Sequence, residues 1–71
     1  MKRHRLLQMV AAAARAAECS WELVRQGGSH EWWRCGATGV AIPRHREIPE
    51  LTARAILREL ETELGKDWWR R

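Results

Sequence analysis

Three histidines are the first candidates for chemistry, because imidazole titrates nearest neutral pH and is the usual proton-transfer group. His4 lies in a basic N-terminal segment, His45 lies in a basic loop, and His30 follows two glycines and a serine. A single histidine is more often structural or merely exposed than catalytic. On residue types alone, each of the three is therefore a weak candidate.

Other catalytic and metal-binding patterns are missing from the sequence. It has no Ser/His/Asp order, no glycine loop that would cradle phosphate and no carboxylate pair at two-metal spacing. Cys19 and Cys35 form neither a CxxC motif nor a Cys/His cluster, so we expect no metal and no cofactor. Two isolated cysteines also make no disulfide framework, which indicates a reducing cytosol and predicts a cytoplasmic protein.

The charge balance favours an anionic partner. Thirteen Lys and Arg residues stand against nine Asp and Glu, and eleven of the thirteen are Arg, whose planar fork fits phosphate oxygens.

The basic start and the apolar run over 6–14 imitate a secretory signal, but Gln8 and Arg15 interrupt it, so we expect no cleaved leader. No apolar run is long enough to span a membrane, and we expect no membrane partner.

The elements that must position these residues follow from hydrophobic periodicity. Apolar stripes at helical spacing predict an Ala-rich helix over 5–18 and a second helix that begins at Pro49 and ends near Gly65. Between them, β-favouring runs predict strands over 21–26, 29–34 and 40–42, with Gly27-Gly28 as a hairpin turn. The prediction is an α+β fold of order α-β-β-β-α. Its three-stranded antiparallel sheet has both helices on one face, because that arrangement buries both stripes.

The 71 residues predict a single domain over 1–71, with a core over about 5–64 and a short Trp/Arg tail over 65–71. Strict alternation along the second strand places Trp32 and Trp33 on opposite faces, one buried and one exposed, without saying which. For the tail, two readings stay open. Trp68 and Trp69 either anchor a partner protein or fold back on the second helix.

Two blocks of the sequence resemble the HicA toxin family. The stretch WELVRQGGSH over 21–30 resembles the family signature, and VAIPRH over 40–45, followed by Glu47-Ile48 and LTARAILR over 51–58, supports the resemblance independently. The order and spacing of these blocks also match, and the resemblance covers roughly residues 5–64.

The resemblance implies a fold like that of a double-stranded RNA-binding domain and ribonuclease activity against mRNA. It implies that the histidine of the Gly-Ser-His element, here His30, is the active residue. It also implies an antitoxin partner, HicB, with which the toxin forms a hetero-oligomer. Because RNA carries its own 2′-OH nucleophile, we expect metal-independent cleavage. We predict five RNA-binding residues: Arg25, Ser29, Arg34, Arg44 and His45.

Two alternatives belong to other functional classes. A non-catalytic RNA-binding module of the same fold would contact phosphates and 2′-OH groups without chemistry at His30. A plain interaction protein would dock its partner through the Trp68-Trp69 tail.

Overall fold

The computed structural model describes residues 1–70, and it shows an α+β protein with a three-stranded open antiparallel sheet. The fold class and the order of elements are as predicted from the sequence. In chain order the elements are α1 (Arg3–Ala16), β1 (Trp21–Gly27), β2 (His30–Cys35), β3 (Thr38–Pro43), α2 (Glu50–Glu59), α3 (Glu61–Leu64) and a short 3₁₀ helix (Trp68–Arg70).

The sheet is a meander in which β2 is the central strand and pairs antiparallel with β1 and with β3. Gly28, at φ 40°, lies in the first turn, and Gly36, at φ 57°, lies in the second. Both turns therefore need a residue without Cβ, as the glycine pattern predicts. Each of the three strands extends one residue beyond its predicted C-terminal end, β2 begins one residue later than predicted, and β3 begins two residues earlier.

Alternate residues of the strands lie on two different faces. The side that packs against the helices, here called the covered face, includes Glu31, Cys35, Val40 and Ile42, all of them buried. The opposite side, here called the open face, carries the exposed side chains of Glu22, Arg25, His30, Trp32, Arg34 and Ala41. The prediction that both helices cover one face is confirmed. Trp33 is the half-buried tryptophan of the covered face, and Trp32 is its exposed neighbour.

The core is the set of apolar side chains between the sheet and the helices. Leu6, Val10 and Ala14 on α1 repeat every four residues and are all buried, so this row of apolar side chains forms the packing stripe of the helix. The buried residues of α2 are Ala53, Ile56 and Leu57. The stripe of α2 is the one that the sequence predicts. On α1 the apolar spacing also predicts Ala13 and Ala17, but Ala13 is half-buried and Ala17, which follows the end of the helix, is exposed. The helix α1 itself begins two residues before the predicted start.

The C-terminal segment returns to the core. The predicted second helix is interrupted at Leu60, the single residue between α2 and α3. Gly65, at φ 97°, follows the end of α3. The Trp68 side chain is 6% exposed and donates its Nε1–H to the carbonyl oxygen of Leu57 at 2.8 Å. Trp69 packs edge-on against Trp68, with ring centroids 5.9 Å apart. Of the two readings of the tail, the structure shows the one in which it folds back.

Within residues 1–70, none of the helices combines the length and the apolar character needed to cross a membrane.

Candidate functional site

His30 is the first residue of β2 and lies on the open face, next to the tight turn at Gly28 and Ser29. Its side chain is exposed, and its Nδ1 lies 3.0 Å from the hydroxyl oxygen of Ser29. Among the described residues, the other ring nitrogen, Nε2, has no hydrogen-bond partner. One nitrogen of this imidazole is therefore held by the protein, while the other faces solvent.

The loop after β3 joins the hairpin at the same end of the sheet. The backbone N–H of Arg44 donates to the carbonyl oxygen of Ser29 at 2.8 Å, and the Arg44 guanidinium donates to the carbonyl oxygen of Gly28 at 3.4 Å. In the strand register His30 is opposite Pro43, the residue before Arg44. Two segments that are distant in the sequence thus place Arg44 beside His30. His45 follows in the same loop and is exposed.

Arg25 reaches the open face because β1 is irregular. Leu23 pairs with Trp33, but the next paired residue is Arg25, which is opposite Trp32, so Val24 is the extra residue of a bulge. Without the bulge, Arg25 would be opposite Glu31 and would share the covered face. Arg25 forms no ion pair with any described residue.

Arg34 lies on the same face, at the end of β2 far from His30. Its guanidinium donates to the carboxylate of Glu22 at 3.1 Å, across the strand pair. Both side chains are about half exposed, so the ion pair is weak and can exchange partners. Arg34 therefore differs from Arg25 and Arg44, whose guanidinium groups form no ion pair within residues 1–70.

A polar group supports the site from the covered face. Glu31 is 8% exposed, and its carboxylate accepts hydrogen bonds from the Arg3 guanidinium and from Trp33 Nε1, the latter at 3.0 Å. Arg3 also donates through Nε to the carbonyl oxygen of Pro43 at 2.9 Å. Arg3 therefore connects α1 to the ends of β2 and β3 on either side of His30. No sequence motif indicates this role, because Arg3 and Glu31 are 28 positions apart in the chain.

Cys35 is the most strongly perturbed titratable group. Burial, together with the neighbouring Cys19 and Glu63, raises the pKa of its thiol to about 12. The Cys35 thiol is therefore protonated at neutral pH and is a poor nucleophile. Within residues 1–70, no three His, Cys, Asp or Glu side chains are grouped so that they could hold a metal ion.

The structure thus places the six predicted site residues in two groups. Ser29, His30 and Arg44 are joined by hydrogen bonds or adjacent in the chain at one end of the sheet, and His45 follows them in the same loop. Arg25 and Arg34 lie farther along the open face, where Arg25 is opposite Trp32 on β1 and Arg34 follows Trp32 by two residues on β2. Trp32 is absent from the set predicted from the sequence, where it could not be distinguished from Trp33.

Comparison with known proteins gives one match. Residues 13–61 match the family model of the HicA toxin of bacterial toxin–antitoxin systems, which is more than half of the chain. The matched segment contains all three strands, both hairpin turns and all of α2. No curated protein and no solved structure gives a match.

Proposed function

This chain belongs to the HicA family of toxins from bacterial toxin–antitoxin systems, and from this premise we propose that it is an endoribonuclease that cleaves mRNA. His30 is the proposed catalytic residue, and the proposed reaction needs no metal. The observation that carries the proposal is the setting of His30, an exposed imidazole held at Nδ1 by Ser29, at the end of the sheet where the Arg44 guanidinium donates to the carbonyl oxygen of Gly28.

The chemistry needs few parts, because RNA has its own nucleophile next to each phosphodiester. In the proposed reaction, Nε2 of His30 takes the proton of a 2′-OH group, and the 2′-oxygen attacks the adjacent phosphorus. The bond from phosphorus to the 5′-oxygen breaks, and the leaving oxygen takes a proton from water. The products are a 2′,3′-cyclic phosphate and a 5′-hydroxyl end. A positioned general base of this kind contributes roughly 10²–10⁴-fold to a rate.

Ser29 and Arg44 have supporting roles in this proposal. A Ser29 hydroxyl that accepts a hydrogen bond from Nδ1–H of the neutral His30 ring leaves Nε2 unprotonated, which is the form a general base requires. Arg44 is placed to stabilise the negative charge that develops on the phosphorane, a large contribution in many enzymes. His45, Arg25 and Arg34 would bind neighbouring phosphates or riboses of the same RNA strand.

The toxin class implies an antitoxin, and we propose a HicB-like protein that forms a hetero-oligomer with this chain and covers His30. Its contact surface should be acidic where it meets Arg44 and the loop after it, because that end of the sheet is basic. The proposed site of action is the cytoplasm, where mRNA is translated.

The test is incubation of the purified protein with a defined single mRNA, in buffer with EDTA and in buffer with magnesium. We expect equal cleavage in both buffers and fragments that end in 2′,3′-cyclic phosphate and 5′-hydroxyl groups. Activity that is lost in EDTA and restored by magnesium would contradict the metal-independent reaction. A folded protein that binds the RNA without cutting it would instead favour the non-catalytic RNA-binding module.

A further inference from the structure

Trp32 is an exposed aromatic side chain in the middle of the open face. Its side chain is 41% exposed, although it belongs to the central strand of the sheet. His30 and Arg34 lie two residues before and after it on the same face of β2. Successive residues on one face of a strand are about 7 Å apart, so the imidazole, the indole and the guanidinium form a row along β2.

Gly39 on β3 provides the space in which the Trp32 ring lies. A Cβ at position 39 would be 2.6 Å from Cζ2 of Trp32 and 3.1 Å from its Nε1, so one edge of the indole fills the volume of the missing side chain. The backbone of Gly39 is outside the left-handed region, so its conformation does not require glycine. Glycine at position 39 therefore leaves room for the Trp32 ring. One edge of the indole packs against Gly39, and the rest of the ring is exposed.

The charges around Trp32 favour a polyanion over an apolar partner. Arg25 is opposite Trp32 in the strand register and has no ion-pair partner within residues 1–70. Arg34 follows Trp32 by two residues on β2, with Glu22 as its exposed and exchangeable partner. Glu22 is the one acidic side chain of the open face as defined above, against the two arginines and His30.

We propose that the open face binds single-stranded RNA, with one base stacked on Trp32 and the adjacent phosphodiester at His30. The inference deepens the proposed function and rests on it for the identity of the ligand. An aromatic ring can stack only on a base that is splayed out of a helix, and such stacking is a common basis of single-strand recognition. Bases in a duplex are already stacked on each other, so a duplex would leave Trp32 unused. Arg25 and Arg34 would hold the phosphates on either side of the stacked base.

The experiment measures binding separately from cleavage. The probe is a short RNA with 2′-O-methyl groups throughout, which lacks the nucleophile, offered as a single strand or as a duplex with its complement. We expect the single strand to bind more tightly than the duplex. Trp32→Ala should weaken binding of the single strand about 5- to 150-fold, the range for loss of one stacked base, and Trp32→Phe should retain most of the affinity.

Two controls separate stacking from a general effect on the fold. Leu51 is 86% exposed on α2, on the side of the sheet away from the open face, so Leu51→Ala should leave the affinity unchanged. Gly39→Ala must displace the indole edge, so it should weaken binding in the parent but have no effect in the Trp32→Ala background. RNA should quench the tryptophan fluorescence of the parent, and this quenching should disappear in Trp32→Phe.

The outcomes distinguish this inference from the proposed function. Equal affinity of the parent and Trp32→Ala for the single strand would overturn the stacking proposal even if the parent cleaves RNA, and would leave this face to a protein partner. Tighter binding of the duplex, insensitive to Trp32, would overturn it as well. Binding that depends on Trp32, in a protein that cuts no RNA, would support the inference while the proposed function fails. A parent that binds neither probe overturns both.

Discussion

The covered and open faces of the sheet are built from alternate residues of the same strands, yet their chemistry differs. On the covered face of β2, Glu31 and Cys35 are buried, and within residues 1–70 every buried side-chain nitrogen or oxygen atom has a hydrogen-bond partner. On the open face of the same strand, His30 and Trp32 are exposed and present a ring nitrogen and an indole to solvent.

This difference indicates that the covered face contributes stability, whereas the open face carries the exposed functional groups. A chain of this size has a small core, which rarely supplies more than roughly 3–5 kcal/mol of stability. The covered face therefore has to be fully packed and hydrogen-bonded, whereas the open face can carry exposed groups at little cost in stability. Although His30 and Glu31 are adjacent in sequence, substitution of His30 should lower activity, whereas substitution of Glu31 should lower stability.

The largest expected effect is on activity, at the open face. His30→Ala should lower RNA cleavage roughly 10²–10⁴-fold, because the general base is lost. The same change should leave the circular dichroism spectrum and the unfolding midpoint near those of the parent, because the imidazole is exposed. His45→Ala should reduce cleavage less, and His4→Ala hardly at all.

Two results would break the assignment of His30. A folded His30→Ala variant that cuts RNA like the parent would remove His30 from the chemistry. If His45→Ala is the inactive variant instead, the general base belongs to the loop after β3, and the open face contributes binding alone.

A smaller effect, on stability, is expected one residue further along. Glu31→Gln removes the charge that accepts hydrogen bonds from Arg3 and Trp33 on the covered face. Hydrogen bonds to a charged group contribute about 1.5–3 kcal/mol, a large part of the stability of so small a domain. Unfolding in urea, followed by circular dichroism, should show a lower midpoint for this variant.

The matched control is Glu22→Gln, which breaks the exposed pair with Arg34 on the open face. An exposed ion pair contributes about 0–1 kcal/mol, so the urea midpoint of this variant should stay near that of the parent. Equal midpoints for Glu31→Gln and the parent would show that the two faces do not differ in their contribution to stability.

The smallest effect concerns a carboxylate that belongs to neither face. Hydrogen bonds from the amino group of Met1 and from Lys2 hold the pKa of Glu47 below its ordinary value of 4.5. Because the pKa is lowered by folding, the contribution to stability is present above pH 4.5 and is lost as the pH falls through the lowered value. Glu47→Gln should therefore be slightly less stable than the parent at pH 7, and the gap should close in strong acid.

Urea titrations of the Glu47→Gln variant and the parent at pH 7 and near pH 2 measure this gap. A difference that grows as the pH falls would have the opposite sign and would contradict the assigned cause. Since the Glu47 side chain is exposed to solvent, added salt should also reduce the difference at pH 7.

Local patterns in the sequence determined most of the architecture. The element order and the buried stripes followed from periodic apolar residues, two glycine turns and two prolines. These signals are local, because each acts on residues close to it in the chain. The Gly-Ser-His element at His30 was likewise visible, since its residues are contiguous. That Trp32 and Trp33 point to opposite faces also followed from alternation alone.

Only the tertiary structure decided which tryptophan is exposed and which arginines share its face. The bulge at Val24 moves Arg25 from the face of Glu31 to the face of Trp32. The residue types of β1 do not predict this bulge. Similarly, Arg3 reaches Glu31, and Trp68 reaches Leu57, through contacts that depend on how α1 and the C-terminal segment pack. Such contacts join residues that are far apart in the chain. They form only when the helices and the sheet pack together, so a local sequence pattern does not predict them.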